Sequence, residues 1–299
     1  MDSAWVLACA SIAAEKGVLA ALPADAPAVA RRTGLAPPFV ARLLDVLAAA
    51  GVIGRDRDRF VPGAPVDEQL AAEARSALLQ AADLAKGGAL DLEGWRHEDP
   101  AILRAQGLSS SSAVPALAAA FPSLGDLAER MERPGAAALD VGTGVAAIAI
   151  ALCRRFPELR VVGLEPAKAP MTEARRNVVA AGLDRRVELR GQRVQDLTDE
   201  AAFDFAFLPS VFLSTETLRA ALPAILRALK PGGWVITGAA GGGDELAGAL
   251  MRLRATLWGS ESLTPADLRH LFAEAGYAEV RVFDVPPRVT LVPVAARRD

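Results

Sequence analysis

From Gly135 to the end of the chain, short runs rich in β-forming residues alternate with helical segments. That alternation constrains the fold more than any other feature of the sequence. Ala136–Val141, Arg160–Glu165, Val187–Arg190, Phe203–Leu208 and Trp234–Thr237 read as buried strands. Helices are expected near Ala146–Phe156, Ala169–Ala181, Thr215–Leu229 and Glu245–Leu257. A further helix at Pro265–Ala275 precedes strands at Glu279–Asp284 and Val289–Val294. The last two runs leave no room for a helix between them, so they must form an antiparallel pair. The expected fold class is α/β: a doubly wound seven-stranded sheet, parallel except at its closing pair.

The first ~85 residues read differently, as a mainly helical unit. Helices are expected at Ala4–Leu22, Ala28–Arg32 and Phe39–Ala50, the last opened by Pro37-Pro38 and carrying Val40, Leu43, Leu44 and Leu47 on one face. Val52-Ile53 and Phe60-Val61 then flank the charged run Gly54–Arg59 as two short strands. Helix, turn, helix and β-wing is the layout of a winged helix-turn-helix. Beyond it, helices at Asp67–Lys86 and Val114–Met131 enclose Gly87–Ser112, which holds Trp95, His97, Pro100 and the run Ser109–Ser112. A serine run reads as a flexible, solvated loop, or as a lid over a pocket. The expected division is a winged-helix-like domain at 1–88, a helical linker and lid at 89–134, and the sheet domain at 135–299.

Composition narrows the function. Of 299 residues, 52% are hydrophobic and only 23% charged, which excludes a largely disordered chain. The balance of 33 basic and 36 acidic side chains gives no overall basic field for nucleic acid or anionic lipid. With two cysteines (Cys9, Cys153) and two histidines (His97, His270), neither a disulfide framework nor a Cys/His zinc site is expected, and no metal is assigned. The apolar stretch Ala4–Ala14 lacks the basic flank of an export signal. The uncharged run Val141–Cys153 is well short of the ~20 residues that span a bilayer. A soluble, cytoplasmic protein without a membrane partner is expected.

The chemistry concentrates where the first strand of the sheet domain enters Leu139-Asp140-Val141-Gly142-Thr143-Gly144 and a helix begins. Glycines at such a turn admit a ligand close to the backbone, over the helix N-terminus. The second strand ends at Glu165, where a carboxylate can accept hydrogen bonds from both ribose hydroxyls. Gly142-x-Gly144-x-x-Ala147 alone also fits a dinucleotide fingerprint, which leaves a dehydrogenase open. Three features shift the reading: Asp140 two residues before the first glycine, which suits an ammonium rather than a pyrophosphate; Glu165-Pro166 continuing to Ala174-Arg175-Arg176-Asn177; and Leu229-Lys230-Pro231-Gly232-Gly233 turning a helix into the fifth strand.

On these residues the segment Ala136–Gly238, with the final hairpin, resembles a class I S-adenosylmethionine-dependent methyltransferase with its Rossmann-like sheet. With the N-terminal winged helix, the whole chain is similar to small-molecule O-methyltransferases of the plant caffeate and bacterial polyketide type. The resemblance implies S-adenosylmethionine as cofactor, a small-molecule substrate from secondary metabolism, and a homodimer formed through the winged-helix domain. It puts Asp140, Gly142, Thr143 and Gly144 around the methionine part of the cofactor, Glu165 at the ribose and Pro166 beside the adenine. Gln192, Arg193 and Val194 would flank the adenine, and Leu208-Pro209 would lie under the methionine chain. Plain turn glycines, a strand-end surface acid at Glu165 and a solvated turn at Gln192-Arg193 are the alternatives.

The resemblance fails at the base. Relatives of this shape carry a histidine just after the fourth strand, whereas Leu208–Ser214 contains neither histidine nor carboxylate. No catalytic residue is assigned: His97 or an acid from the N-terminal domain could supply the base, with a solvated loop histidine as the alternative at His97, and His270 reads as a surface residue. An already anionic nucleophile would need no base; a third possibility is the fold used without methyl transfer. Trp95, Phe121, Phe212 and Trp258 are candidate pocket walls, or else ordinary core, with Arg252 and Arg254 as anion partners or a solvated helix face. A DNA-binding regulator is the rival class. The helix that would enter the groove carries only Arg42, opposed by Asp45, and the wing alternates Arg with Asp, so no nucleic-acid partner is expected.

Overall fold

The structure, a computed structural model, describes residues 2–63, 68–88, 94–241, 245–285 and 290–299. The expected helix start at Asp67, the expected strand start at Val289 and residues 89–93 of the expected lid lie outside the described residues. The chain divides into two compact units, Met1–Lys86 with Arg104–Ser112, and Gly87–Leu103 with Ala113–Asp299. Of the described residues in the stretch 89–134, 104–112 fall in the first unit and 94–103 and 113–134 in the second.

The first unit runs α1 (Asp2–Glu15), α2 (Ala26–Thr33), α3 (Pro37–Ala49), β1 (Ile53–Asp56), β2 (Arg59–Pro62) and α4 (Glu68–Ala85). Helix α1 stops short of the expected Leu22, because the chain takes a positive φ of 71° at Gly17. Asp25 opens α2 by accepting the Ala28 N–H at 2.7 Å, and Gly34 closes it with φ 70°. Val40, Leu43, Leu44 and Leu47 of α3 are buried with Val29, Ile53 and Phe60, as their spacing predicts. Strands β1 and β2 pair antiparallel, with Ile53 opposite Pro62. The helix-turn-helix and wing expected from the sequence are present. Arg42 and Arg55 both bond the Asp45 carboxylate, at 2.8 and 3.3 Å. Arg32 and Arg59 donate to the carbonyls of Ala21 and Pro23.

The serine run is helical, not a loop, over Ser109–Ser111, the last turn of α5 (Pro100–Ser111), with Ser112 in the turn that follows. Ser76 and Gln80, four residues apart on α4, meet Gln106 and Ser110, four residues apart on α5. Ser76 Oγ donates to Gln106 Oε1 at 2.8 Å, Gln80 Nε2 donates to Gln106 Oε1 at 2.9 Å, and Gln106 Nε2 donates to Ser110 Oγ at 3.0 Å. Ser76 is buried, so its hydroxyl needs such partners, and the polar residues serve helix packing.

In the second unit, α6 (Val114–Ala120) and α7 (Leu127–Glu132) replace the single helix expected over Val114–Met131. Pro122 and Gly125, with φ 62°, break it. Then follow β3 (Ala137–Val141), α8 (Ala147–Arg155), β4 (Arg160–Leu164), α9 (Lys168–Ala180), β5 (Val187–Arg190), β6 (Phe203–Leu208), α10 (Thr215–Ala228), β7 (Leu229–Ala240), α11 (Glu245–Leu257), α12 (Pro265–Glu274), β8 (Glu279–Val282) and β9 (Leu291–Arg297).

The sheet order is β5-β4-β3-β6-β7-β9-β8, with β3 to β7 paired in parallel and β9 antiparallel to its neighbours β7 and β8. Successive residues alternate between faces. Ala138, Phe205 and Trp234 join the core with α8, while Leu139, Ala206 and Val235 join the core with α10 and α12. Strand β7 begins five residues before the expected Trp234. Lys230 Nζ donates to the buried Asp204 carboxylate of β6 at 2.6 Å, and Phe203 pairs with Leu229 across a bulge, which draws Lys230-Pro231-Gly232-Gly233 onto the sheet. Among the described residues, no helix is long and apolar enough to cross a membrane.

Candidate functional site

Strand order reverses between β3 and β6: from β3 the chain crosses to β4 and β5 on one side, and from β6 to β7 on the other. Open α/β sheets bind ligands at the carboxyl ends of the strands at such a reversal. The Asp140–Gly144 turn leaves β3 at this point. Gly142 and Gly144 have φ values of 62° and 56°, a region where a side chain strains the backbone. Ala146, with φ 62°, then opens α8.

Asp140 is 1% exposed, near the end of β3. Thr143 Oγ1 donates to its Oδ2 at 2.6 Å, and the amide of Ala149 in the first turn of α8 also favours its charge. Burial outweighs both and pushes its pKa up to about 7, with the neighbouring Glu165 charge adding to the rise. Glu165 follows β4. Its Oε2 accepts the Gly144 N–H at 3.1 Å and its Oε1 accepts the Ala167 N–H at 2.9 Å. Burial raises its pKa too, against those two bonds. Among the described residues neither carboxylate has an ion-pair partner.

This cradle fits a ligand with a cationic amine and vicinal hydroxyls. The backbone is bare at two glycines, a buried carboxylate faces no cation, and Glu165 keeps lone pairs beyond the two backbone bonds it accepts. Pro209 stands across the reversal: its Cγ lies 3.6 Å from where a Cβ on Gly142 would sit. Leu208 and Val194 are core residues beneath the site, Gln192 is half-buried, and Arg193 and Pro166 are exposed.

Three of the four aromatic candidates meet. Phe212 stacks on Trp258 with centroids 4.6 Å apart, and Trp95 sits edge-on to both, at 5.3 and 6.3 Å. The His97 ring is 4.6 Å from Trp95, and the Arg254 guanidinium lies 4.9 Å over Trp258. Phe121 is not among them. It is buried between Phe156 and Phe205 at 5.8 and 5.0 Å, a core residue and not a pocket wall. Arg252 is exposed on α11 and the structure does not bring it to the cluster. His270 is exposed and pairs with Glu274 at 3.0 Å, as a surface residue.

Sequence reasoning missed two glycine sites. A Cβ on Gly259 would fall 2.7 Å from the Gly94 Cα, so bare backbones let the segment carrying Trp95 and His97 dock beside Trp258. A Cβ on Gly163 would fall 2.9–3.0 Å from three side-chain atoms of Thr143. Glycine inside a strand marks such close approaches, and Gly163 carried that signal. Ser210, also missed, ties the segment after β6 to β7: its Oγ donates to the Gly238 carbonyl at 2.6 Å. No group of three or more metal-ligating side chains occurs among the described residues.

Residues 138–233 match the methyltransferase domain family. No curated protein matches the chain. Among solved structures, the S-adenosylmethionine-dependent methyltransferase SibL is similar over 99% of this chain and 96% of its own, with 23% identity and a TM-score of 0.60. An O-methyltransferase family protein from Burkholderia thailandensis aligns over 98% and 94%, with 18% identity and a TM-score of 0.65. Human N-acetylserotonin methyltransferase aligns over 99% and 95%, with 16% identity and a TM-score of 0.67. The chain therefore carries a methyltransferase domain and has the fold of the class I S-adenosylmethionine-dependent methyltransferases.

Proposed function

We propose that the protein transfers a methyl group from S-adenosylmethionine to an acidic oxygen, a carboxylate or phenol, of a small apolar metabolite of secondary metabolism, without a histidine base. The observation that carries this reading is the segment Ser210–Ser214 after β6. It holds no titratable side chain, and Ser210 and Ser214 are committed to Gly238 and Thr217. An alcohol with a pKa far above 7 would need a base there, whereas a carboxylate or acidic phenol would not.

When bound, the cofactor supplies an electrophilic methyl group on a sulfonium. Asp140 would receive its ammonium, with Gly142, Thr143, Gly144, Leu208 and Pro209 about the methionine chain. Glu165 would hold the ribose, and Pro166, Gln192, Arg193 and Val194 would border the adenine. Trp95, Phe212 and Trp258 offer an apolar wall for the acceptor, and Arg254 over Trp258 suits an anionic one. Holding the acceptor oxygen close to the methyl group to be transferred would then supply much of the acceleration. The solved neighbours named for O-methyl transfer support oxygen as the acceptor atom.

His97 beside Trp95 favours a second reading, in which it is the base for a neutral phenol. Replacing it decides: His97→Ala keeps most of the turnover on the proposed reading, with no activity loss titrating near pH 6.5. A drop of ~100-fold in a folded variant that still binds cofactor gives the role to His97. Tight binding of NAD without S-adenosylmethionine binding, measured by calorimetry, would overturn both readings.

We also assign a homodimer to the N-terminal unit. Helix α1 is apolar almost all round, yet buries only Ser11 and Ala13 and leaves Trp5 75% exposed. With four wing and helix arginines committed to internal acceptors, the unit suits a protein partner better than DNA. Light scattering that gives a monomer would remove this assignment.

A further inference from the structure

In the loop between β3 and α8, Thr143 is tied to Asp140 and to strand β4 in a way that the cofactor contacts proposed above do not account for. Asp140 pairs in register with Gly163 on the neighbouring strand β4. The chain turns back over that strand, and the Thr143 N–H donates to the Leu164 carbonyl at 2.9 Å. This lays the Thr143 side chain on Gly163. A Cβ there would fall 2.9 Å from Thr143 Cγ2 and 3.0 Å from both its Cβ and its Oγ1. The Cβ is fixed by the backbone and the branch carrying Cγ2 and Oγ1 is stiff at χ1, so the contact is not relieved without moving the residue. From that seat Oγ1 reaches Asp140 Oδ2 at 2.6 Å, with both residues buried.

We infer that Thr143 is a positioning residue, which turns and holds the Asp140 carboxylate as a charged partner for the cofactor's amino group, and that Gly163 is there to give Thr143 its seat. A hydroxyl that donates to a carboxylate favours the charged form, and a buried carboxylate without a cation needs such donors. The groups that face Asp140 are few: the Thr143 hydroxyl, the Ala149 amide at the start of α8, and the Glu165 carboxylate after β4, which opposes its ionisation. Its pKa of about 7 leaves Asp140 near its titration point at neutral pH, so one hydrogen bond decides how much of it is charged. Thr143 and Gly163 therefore act on cofactor affinity through Asp140.

The inference rests on Asp140 being the ammonium partner, and two measurements keep the two ideas apart. The first is carbon-13 carboxyl titration of Asp140 in the cofactor-free protein, assigned by difference against Asp140→Asn. The second is calorimetric S-adenosylmethionine affinity between pH 6 and 9. Thr143→Val should move the Asp140 titration upward by about one pH unit or more. It should cut affinity at pH 7 about fivefold, with recovery toward wild type by pH 9, since a rise of one unit from about 7 takes the ionised fraction at pH 7 from about a half to about a tenth. Thr143→Ser should restore both, and Gly163→Ala should reproduce Thr143→Val. An unmoved Asp140 titration in Thr143→Val overturns the role of Thr143 alone. A moved titration with unchanged affinity overturns Asp140 as the ammonium partner, and this inference with it. An equal loss of affinity at every pH, in both Thr143→Val and Thr143→Ser, reduces Thr143 to a packing residue and also overturns it.

Discussion

The central strands β3 and β6 each bury an aspartate, at opposite ends of the sheet, and the two ends treat that charge in opposite ways. Asp204, near the start of β6, accepts from Lys230 Nζ at 2.6 Å and from the Ala137 N–H at 3.0 Å. Its charge is answered within the fold. Asp140, near the end of β3, has a hydroxyl and an amide but no cation, and Glu165 nearby adds a second carboxylate. A buried charge without a partner lowers stability, and such groups persist where something outside the chain supplies the partner. The comparison separates the structural end of the sheet from the binding end without reference to any ligand.

Removing one partner at the structural end should have the largest effect. Lys230→Met leaves Asp204 buried and unanswered and should cost about 3 kcal/mol of stability in denaturant unfolding, with cofactor affinity near wild type in the folded fraction. Loss of cofactor affinity without loss of stability would break the comparison. At the binding end the pattern inverts. Glu165→Ala should weaken cofactor binding by roughly 1.5–3 kcal/mol in calorimetry and leave folding intact, because only two backbone N–H groups lose an acceptor.

Asp140→Asn sharpens the comparison through pH. The folded carboxyl titrates near 7 and the unfolded one near 3.8, so between those values the folded state holds the extra proton. The contribution of this group to stability is full below about pH 4 and is lost as pH rises through 7. Replacing it with the neutral amide should therefore stabilise the cofactor-free protein at pH 8, a gain that shrinks as pH falls toward 4. A variant less stable at pH 8 than at pH 5, relative to wild type, would contradict the assignment of an unanswered charge. A smaller effect is expected in the N-terminal unit. Gln106→Leu leaves the buried Ser76 hydroxyl without its acceptor and should cost about 1–2 kcal/mol in thermal unfolding. No change there would mean that apolar contacts alone hold α4 to α5.

Sequence periodicity by itself determined the doubly wound sheet, its antiparallel closing strand, the helix–wing layout of the first unit and the glycine turn with Asp140 and Glu165. Each of these is written in local signals: a period of two or 3.6, glycines at a strand end, a proline at a helix start. Tertiary structure alone decided what depends on residues far apart in the chain. The serine run is helical because Gln106 and Ser110 meet Ser76 and Gln80, whereas the same composition without that partner reads as a loop. Phe121 belongs to the core because β6 presents Phe205 to it, and aromatic character does not say which side of a sheet a ring will reach. Trp95, Phe212 and Trp258 converge because Gly94 and Gly259 let two backbones touch, and Thr143 reaches Asp140 because Gly163 leaves it room. In both places the deciding group is a missing Cβ opposite a residue distant in sequence. A glycine shows in the sequence, but the atom it makes room for appears only once the chain is folded.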